Sequence, residues 1–319
     1  MKKHFSLFAA VLMLFASPAV MGQGEGSGDR YVDYNRFLYE MGKAILAARQ
    51  EGRTPKTIRD IREKAALLIE ERAPAEKVKT VIGRAKDWKD EDIFAKRERS
   101  VFIIGKLYVG GNGTDVRWDL TGTAFAIAED GVCVTNYHVL KDIIRSNDNN
   151  TDSVYFIVTP DKKVYFMDGI LAWSQNNDLA VFKVNTQGDR LNPIPLGKPA
   201  PVGAPVFCIS HPIGYFYYFS KGMVARNVTI DSLHTSAGYS QNGKPPIRME
   251  IAADYAIGSS GGPVLDQFGN LAGIIAATTT IFGGVADVRG QQVAQPQMVV
   301  RDTAPVEALT DLLQNKILN

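Results

Sequence analysis

From residue 100 onward the chain is a succession of short apolar runs, with Gly, Asn and Asp recurring between them. They read VFIIGKLYV, TAFAIAEDG, VCVTN, SVYFIVTP, KVYFMDGILAW, LAVFKV, APVFCIS, GMVARNVTI, IRMEIA and LAGIIAATTT. Strands this short, with turn residues between them, predict a sandwich or barrel rather than a sheet alternating with helices. Only the last piece, APVEALTDLLQNKIL, departs from this pattern. Val306, Leu309, Leu312 and Leu313 fall on one face of a helix there.

Residues 30–98 differ in kind. Tyr34, Phe37, Leu38, Met41 and Ile45 recur at helical spacing, and Ile58, Ile61, Ala65 and Leu68 repeat the stripe. Thr54 followed by Pro55 reads as an N-cap with proline at the first helical position. Ala73-Pro74 ends that helix and opens a third carrying Val78, Val81 and Ile82, and a charged fourth piece, DEDIFAKRE, leads into the strands. The stripes predict a small helical module whose helices pack on one another.

The first residues carry an address. Lys2 and Lys3 precede an apolar run from Phe5 to Ala16, and small residues follow. That layout is a secretory signal peptide over residues 1–22, too short in its apolar part to span a bilayer. A Gly-rich polar tether follows at 23–29. An exported protein, periplasmic or secreted, is therefore expected, with no stable membrane insertion once the leader is removed. The formal net charge of +2 gives no electrostatic reason to expect nucleic acid. The two cysteines, Cys133 and Cys208, sit inside apolar runs and read as buried free thiols. No His, Cys or carboxylate cluster has metal-ligand spacing, so neither a metal nor another cofactor is expected.

Three short stretches carry the chemistry. TNYHVL places His138 at the end of an apolar strand, and NNDLAVFKV opens a strand at Asp178. Either alone is a rim histidine or a turn aspartate. The third, GSSGGPVLD, is specific, because it sets Ser260 in a turn between Gly258 and Gly261-Gly262. A serine hydroxyl is a weak nucleophile unless a base takes its proton and an acid holds that base in one tautomer. Acyl transfer also needs donors aimed at the oxyanion, and the amides of Gly258 and Ser260 can supply them, since glycine permits the turn. The order His, Asp, Ser is the chymotrypsin order.

TGTAFAIAEDGVCVTNYHVL, NNDLAVFKV and GSSGGPVLDQFGNLAGI resemble the segments around the histidine, aspartate and serine of trypsin-like serine proteases of the HtrA branch, and VGAPVFCISHPIG resembles its inter-barrel strand and turn. The resemblance implies a mainly β, chymotrypsin-like fold over residues 99–302, two six-stranded antiparallel barrels with the helical module before them and a C-terminal helix at 303–319. It implies a serine endopeptidase with His138 as general base, Asp178 as its orienting acid, Ser260 as nucleophile, and Gly258 and Ser260 as the oxyanion hole. The substrate is then a polypeptide, exported or unfolded, lying extended along residues 275–278.

The chain also departs from the branch. Ser259 stands where asparagine is usual, the loop ADYAIGSS is shorter, and the residues after Gly290 read as a short strand and helix, so PDZ-dependent regulation is not expected. The helical segment supplies none of the triad and is expected to be separable from catalysis. Asp254 lies six residues before Ser260, the trypsin spacing for an acid at the base of a pocket that selects Lys or Arg. In the HtrA pattern an aspartate there is structural and the pocket takes small aliphatic residues. Ala276 and Ala277, on the opposite wall, suit both. A protease-shaped binding protein without activity, and an esterase, are the competing functions.

Overall fold

The computed structural model describes residues 31–50, 55–109, 116–145, 152–229, 245–288 and 291–314. The leader, the tether and Thr54 lie outside the described residues. The chain divides into two units, residues 1–39 and 40–319. In the first, Asp33 caps the start of α1 (Tyr34–Gln50), its carboxylate accepting from the Arg36 amide at 3.0 Å.

The second unit holds the rest of α1, the other helices and every strand. α2 (Ile58–Ala65) and α3 (Asp90–Arg97) precede β1 (Val101–Val109), β2 (Val116–Ala126) and β3 (Val132–Thr135). A short helix, α4 (Tyr137–Ile144), leads to β4 (Val154–Val158), β5 (Val164–Ser174) and β6 (Leu179–Val184). Then come β7 (Pro205–Ser210), β8 (Tyr218–Thr229), β9 (Ile247–Ile251), β10 (Pro263–Leu265), β11 (Leu271–Val288) and β12 (Gln291–Pro305). α5 (Val306–Gln314) follows directly. The strands close into two antiparallel barrels, in the orders β1-β2-β3-β6-β5-β4 and β10-β11-β12-β9-β8-β7.

The alternation of side chains explains why the strands read as continuous apolar runs. On β2, Ala124 and Ala126 point into the first barrel, while Phe125 joins a second cluster between the barrels. On β6, Ala180 and Phe182 face inward, and Leu179 and Val181 face that same second cluster. β7 answers from the other side: Val206 and Cys208 fill the second barrel, and Phe207 and Ile209 meet Phe125, Val134 and Val181. Strands with period 2 and both faces covered have no polar face to show. Phe125, Phe182 and Phe207 are at most 1% exposed, and full burial of such a side chain is worth about 1.5–3 kcal/mol.

Helices do precede the barrels, and α2 and α3 pack on the barrels themselves. Ile58, Ile61 and Ala65 of α2 are part of the first barrel's core cluster, together with Tyr137, Leu140 and Ile144 of α4. Ile93 of α3 belongs to the cluster between the barrels, which α5 also closes with Val306, Leu309 and Leu312. α2 is capped by Thr57, not at the expected Thr54-Pro55: Thr57 and Asp60 form a reciprocal capping box. The helix expected over Val78, Val81 and Ile82 is absent. That segment is extended, with Ile82 bridged in parallel to Leu196 and the Leu196 amide donating to Val81 O at 2.7 Å.

Candidate active site

β3 ends at Thr135, and Asn136 turns the chain into α4 from an extended conformation (φ −79°, ψ 153°). His138 therefore leaves the first turn of a helix seated on the barrel rim, with its side chain 44% exposed. Asp178 ends the turn between β5 and β6. Its φ of 55° lies in the left-handed region, which Asp tolerates better than most residues. Asn136 Nδ2 donates to the Asp178 carbonyl at 2.9 Å and fixes the turn against α4. The Asp178 carboxylate then grips His138 twice: Oδ1 accepts from the His138 amide at 3.0 Å, and Oδ2 lies 2.8 Å from Nδ1. A proton on Nδ1 leaves Nε2 of the neutral ring as an acceptor.

Ser260 comes from the other barrel, in the loop between β9 and β10. Its carbonyl accepts from the Thr123 amide at 2.9 Å, and Thr123 Oγ1 donates to Gly258 O at 2.9 Å. Ser260 O and the Val139 side chain both crowd Gly122, so the serine loop lies beside the residue that follows His138. Gly258 (φ 95°) and Gly261 (φ 83°) hold backbone conformations that side chains oppose, and a Cβ on Gly258 would sit 2.6 Å from the His211 carbonyl. The Gly261 amide donates to Ile275 O at 3.0 Å and the Ile275 amide to Gly262 O at 2.8 Å. Among the described residues, no acceptor takes the amides of Gly258 or Ser260, and no hydrogen bond joins Ser260 to His138. Ser259 is fully buried, and its hydroxyl is bonded to that of Ser210 at 3.0 Å.

The expected specificity residues separate. Asp254 is not a buried carboxylate at the base of a pocket. Its side chain is 74% exposed and pairs with Arg301 at 2.7 Å. The neighbouring Tyr255 points inward instead, its hydroxyl 2.9 Å from the carbonyls of Ala277 and Asp302, where β11 bulges between Ile275 and Ala277. Ala276 is buried at this bulge and Ala277 is exposed.

Several residues that hold the site gave no signal in the sequence. Arg248, at the start of β9, donates to the Asn176 carbonyl at 2.8 Å, and the Ile247 amide reaches Asn177 Oδ1 at 3.3 Å, so the second barrel grips the turn before Asp178. Burial pushes the Arg248 guanidinium below its usual range, and the Asp178 charge opposes that shift. His211 is 3% exposed. Its Nδ1 accepts from the Tyr217 amide at 3.0 Å, and burial pushes its pKa down to about 3. His4 and His234 lie outside the described residues. Cys133 and Cys208 are buried free thiols; burial pushes Cys133 far up and Cys208 up to about 12. Among the described residues no group of His, Cys, Asp or Glu is arranged to hold a metal, and no helix is long and apolar enough to cross a membrane.

Residues 122–274 match the trypsin-like peptidase domain family. The chain is 32% identical over 167 residues to Protease Do-like 5, chloroplastic, of Arabidopsis thaliana, a match covering 50% of this chain and 49% of that protein. It is 29% identical over 171 residues to a probable periplasmic serine endoprotease, DegP-like, of Hahella chejuensis, covering 53% of this chain and 32% of that one. The chain thus matches half or less of the length of these curated relatives. Among solved structures, that of Deg5 superposes with a TM-score of 0.50 and 25% identity, covering 69% of this chain and 90% of that one. Two closed barrels, a histidine held by an aspartate and a Gly-flanked serine loop agree with these likenesses: residues 122–274 carry a trypsin-like peptidase domain, and the chain is similar to proteases of the Deg/HtrA kind.

Proposed function

We propose that this chain is a serine endopeptidase that cleaves polypeptides through an acyl-enzyme, with His138, Asp178 and Ser260 as its triad. The observation that carries the reading is the double hold of Asp178 on the imidazole and the amide of His138, at 2.8 and 3.0 Å. That hold keeps Nε2 available as the base. The Ser260 hydroxyl gives its proton to Nε2 as Oγ attacks the substrate carbonyl carbon. The oxyanion so formed is met by the amides of Gly258 and Ser260, which have no acceptor among the described residues. The C–N bond then breaks, and the imidazolium returns its proton to the departing amine. Water repeats the sequence on the ester and releases Ser260. That no hydrogen bond joins Ser260 to His138 among the described residues is compatible with this, because such hydrogen bonds often close only when substrate is bound.

An extended substrate fits beside β11, whose residues beyond Ile275 lie past the last pairing with β10. The leader-like start of the sequence and the periplasmic name of the Hahella relative support an exported protein, and the protease names of the relatives support a polypeptide substrate. The experiment is direct: the purified mature protein is incubated with casein and with a fluorophosphonate, and the labelled peptide is sequenced. Casein cleavage and a label on Ser260 are expected, both lost in Ser260→Ala, with turnover falling at least about a thousandfold. A protein that binds casein without cutting it is instead a silent protease fold, and label on another serine moves the chemistry elsewhere.

A further inference from the structure

We infer that Glu70 and Glu71, which precede the matched peptidase domain, are positioning residues that hold the Asp178 turn and the His138 helix in register; this rests on the triad reading above. The turn carrying Asp178 is strained at φ 55° and half-exposed, so something must hold it. Three of its groups are held from the segment just after α2. The Glu71 amide donates to the Trp173 carbonyl at 2.8 Å, and Ser174 Oγ donates to the Glu71 carboxylate at 3.1 Å. With its proton committed to Glu71, the Ser174 oxygen is left to accept from the Asn177 amide at 3.1 Å, which closes the turn one residue before Asp178. The third group, the Gln175 amide, donates to Glu70 Oε1 at 3.1 Å.

Glu70 also reaches the helix. Its Oε2 accepts from Arg145 Nη2 at 3.0 Å, while Arg145 Nη1 donates to Gln175 Oε1 at 3.0 Å. Glu70, Arg145 and Gln175 thus form a closed ring between the C-terminal end of α4 and the turn. The Arg145 guanidinium lies over the Trp173 ring at 4.9 Å, and that ring stacks on Tyr137, next to His138, at 5.5 Å. The Glu70 side chain is only 10% exposed and Glu71 only 6%, so these carboxylates are not surface ornaments whose pairing solvent would screen. Glu71 itself sits at φ 60°, a conformation retained where its amide and its carboxylate are both engaged with the end of β5. The segment does for the catalytic acid what an outer shell of hydrogen bonds does for a metal ligand: it removes the freedom to drift.

The test uses the full mature protein, counting competent sites by fluorophosphonate label on Ser260 and reading kcat and KM per labelled site on a fluorogenic casein-derived peptide. Glu70→Ala is expected to lower kcat about ten- to a hundredfold, the scale of a small misplacement, with KM unchanged. Glu70→Gln keeps an acceptor for only one of its two donors, the Gln175 amide or Arg145, and is expected to lose less of the rate than Glu70→Ala. Arg145→Ala, at a side chain 51% exposed, opens the ring without emptying a core site and is expected to lower kcat in the same way. Lys56→Ala, which removes a pairing with Asp168 made from just before α2, is expected to leave both constants unchanged. Wild-type kcat per site in both Glu70→Ala and Arg145→Ala, or equal loss in Glu70→Gln and Glu70→Ala, overturns the proposal while the protease reading stands. Absence of label on Ser260 in the wild type overturns both.

Discussion

At the scale of single residues, Asp254 and His211 each make a measurable demand. With its carboxylate 74% exposed and paired to Arg301, Asp254 cannot provide the buried, unpaired charge that makes selection of Lys or Arg strong. Cleavage of a peptide library is therefore expected after small aliphatic residues, and Asp254→Ser is expected to leave that preference unchanged; cuts after Lys and Arg that vanish in the variant would refute it. His211 bears on pH. Its pKa in the fold is about 3, below the ordinary value of 6.5, so the unfolded chain takes up the proton first. The stability it contributes is fully present above about pH 6.5 and is lost as pH falls from there toward about 3, by at most about 1.4 kcal/mol per pH unit. Denaturant melts of wild type and His211→Asn between pH 7 and pH 4 check this: the wild-type midpoint should fall more steeply than the variant's. Parallel curves would mean the imidazole is not held neutral.

Among the elements, α2 separates what the local sequence reveals from what it does not. The stripe of Ile58, Ile61 and Ala65 was readable, and so, in retrospect, was the Thr57 to Asp60 capping box that sets the helix start. What the stripe packs on was not readable, because the contact with Tyr155, Tyr165 and Trp173 is made across long stretches of chain. The same blindness produced the helix expected over Val78 to Ile82. The spacing fits a helix, but Val81 and Ile82 are recruited by the backbone of Leu196, and a distant hydrogen-bond partner overrides local propensity. The energetic consequence is testable in α2. Ile61 is 1% exposed inside the barrel cluster, so Ile61→Ala is expected to cost about 2–5 kcal/mol in unfolding free energy. A loss under about 1 kcal/mol by urea titration would restore the separable module. A chain truncated to start near residue 96 should lose core contacts of the first barrel.

For the molecule as a whole, the barrels and the site were legible for different reasons. Strands such as VCVTN and PVFCIS announce themselves because both faces are buried, and nothing but β-branched and apolar residues suits that position. His138, Asp178 and Ser260 stand out because the proposed chemistry accepts few other side chains and because glycine is required at Gly258 and Gly261. The supports in between, Glu70, Arg145, Ser210 and Arg248, are ordinary polar residues locally, and only the closed fold gives them their work. The thiols of Cys133 and Cys208 carry a last consequence. One lies inside each barrel, both are fully buried, and both stay protonated far above neutral pH. Dithiothreitol is thus expected to leave the melting midpoint unchanged, and iodoacetamide to modify neither thiol before unfolding; rapid alkylation of the native protein would contradict this. A chain so built has no oxidative maturation step to complete, and folds identically whether its surroundings donate electrons or withdraw them.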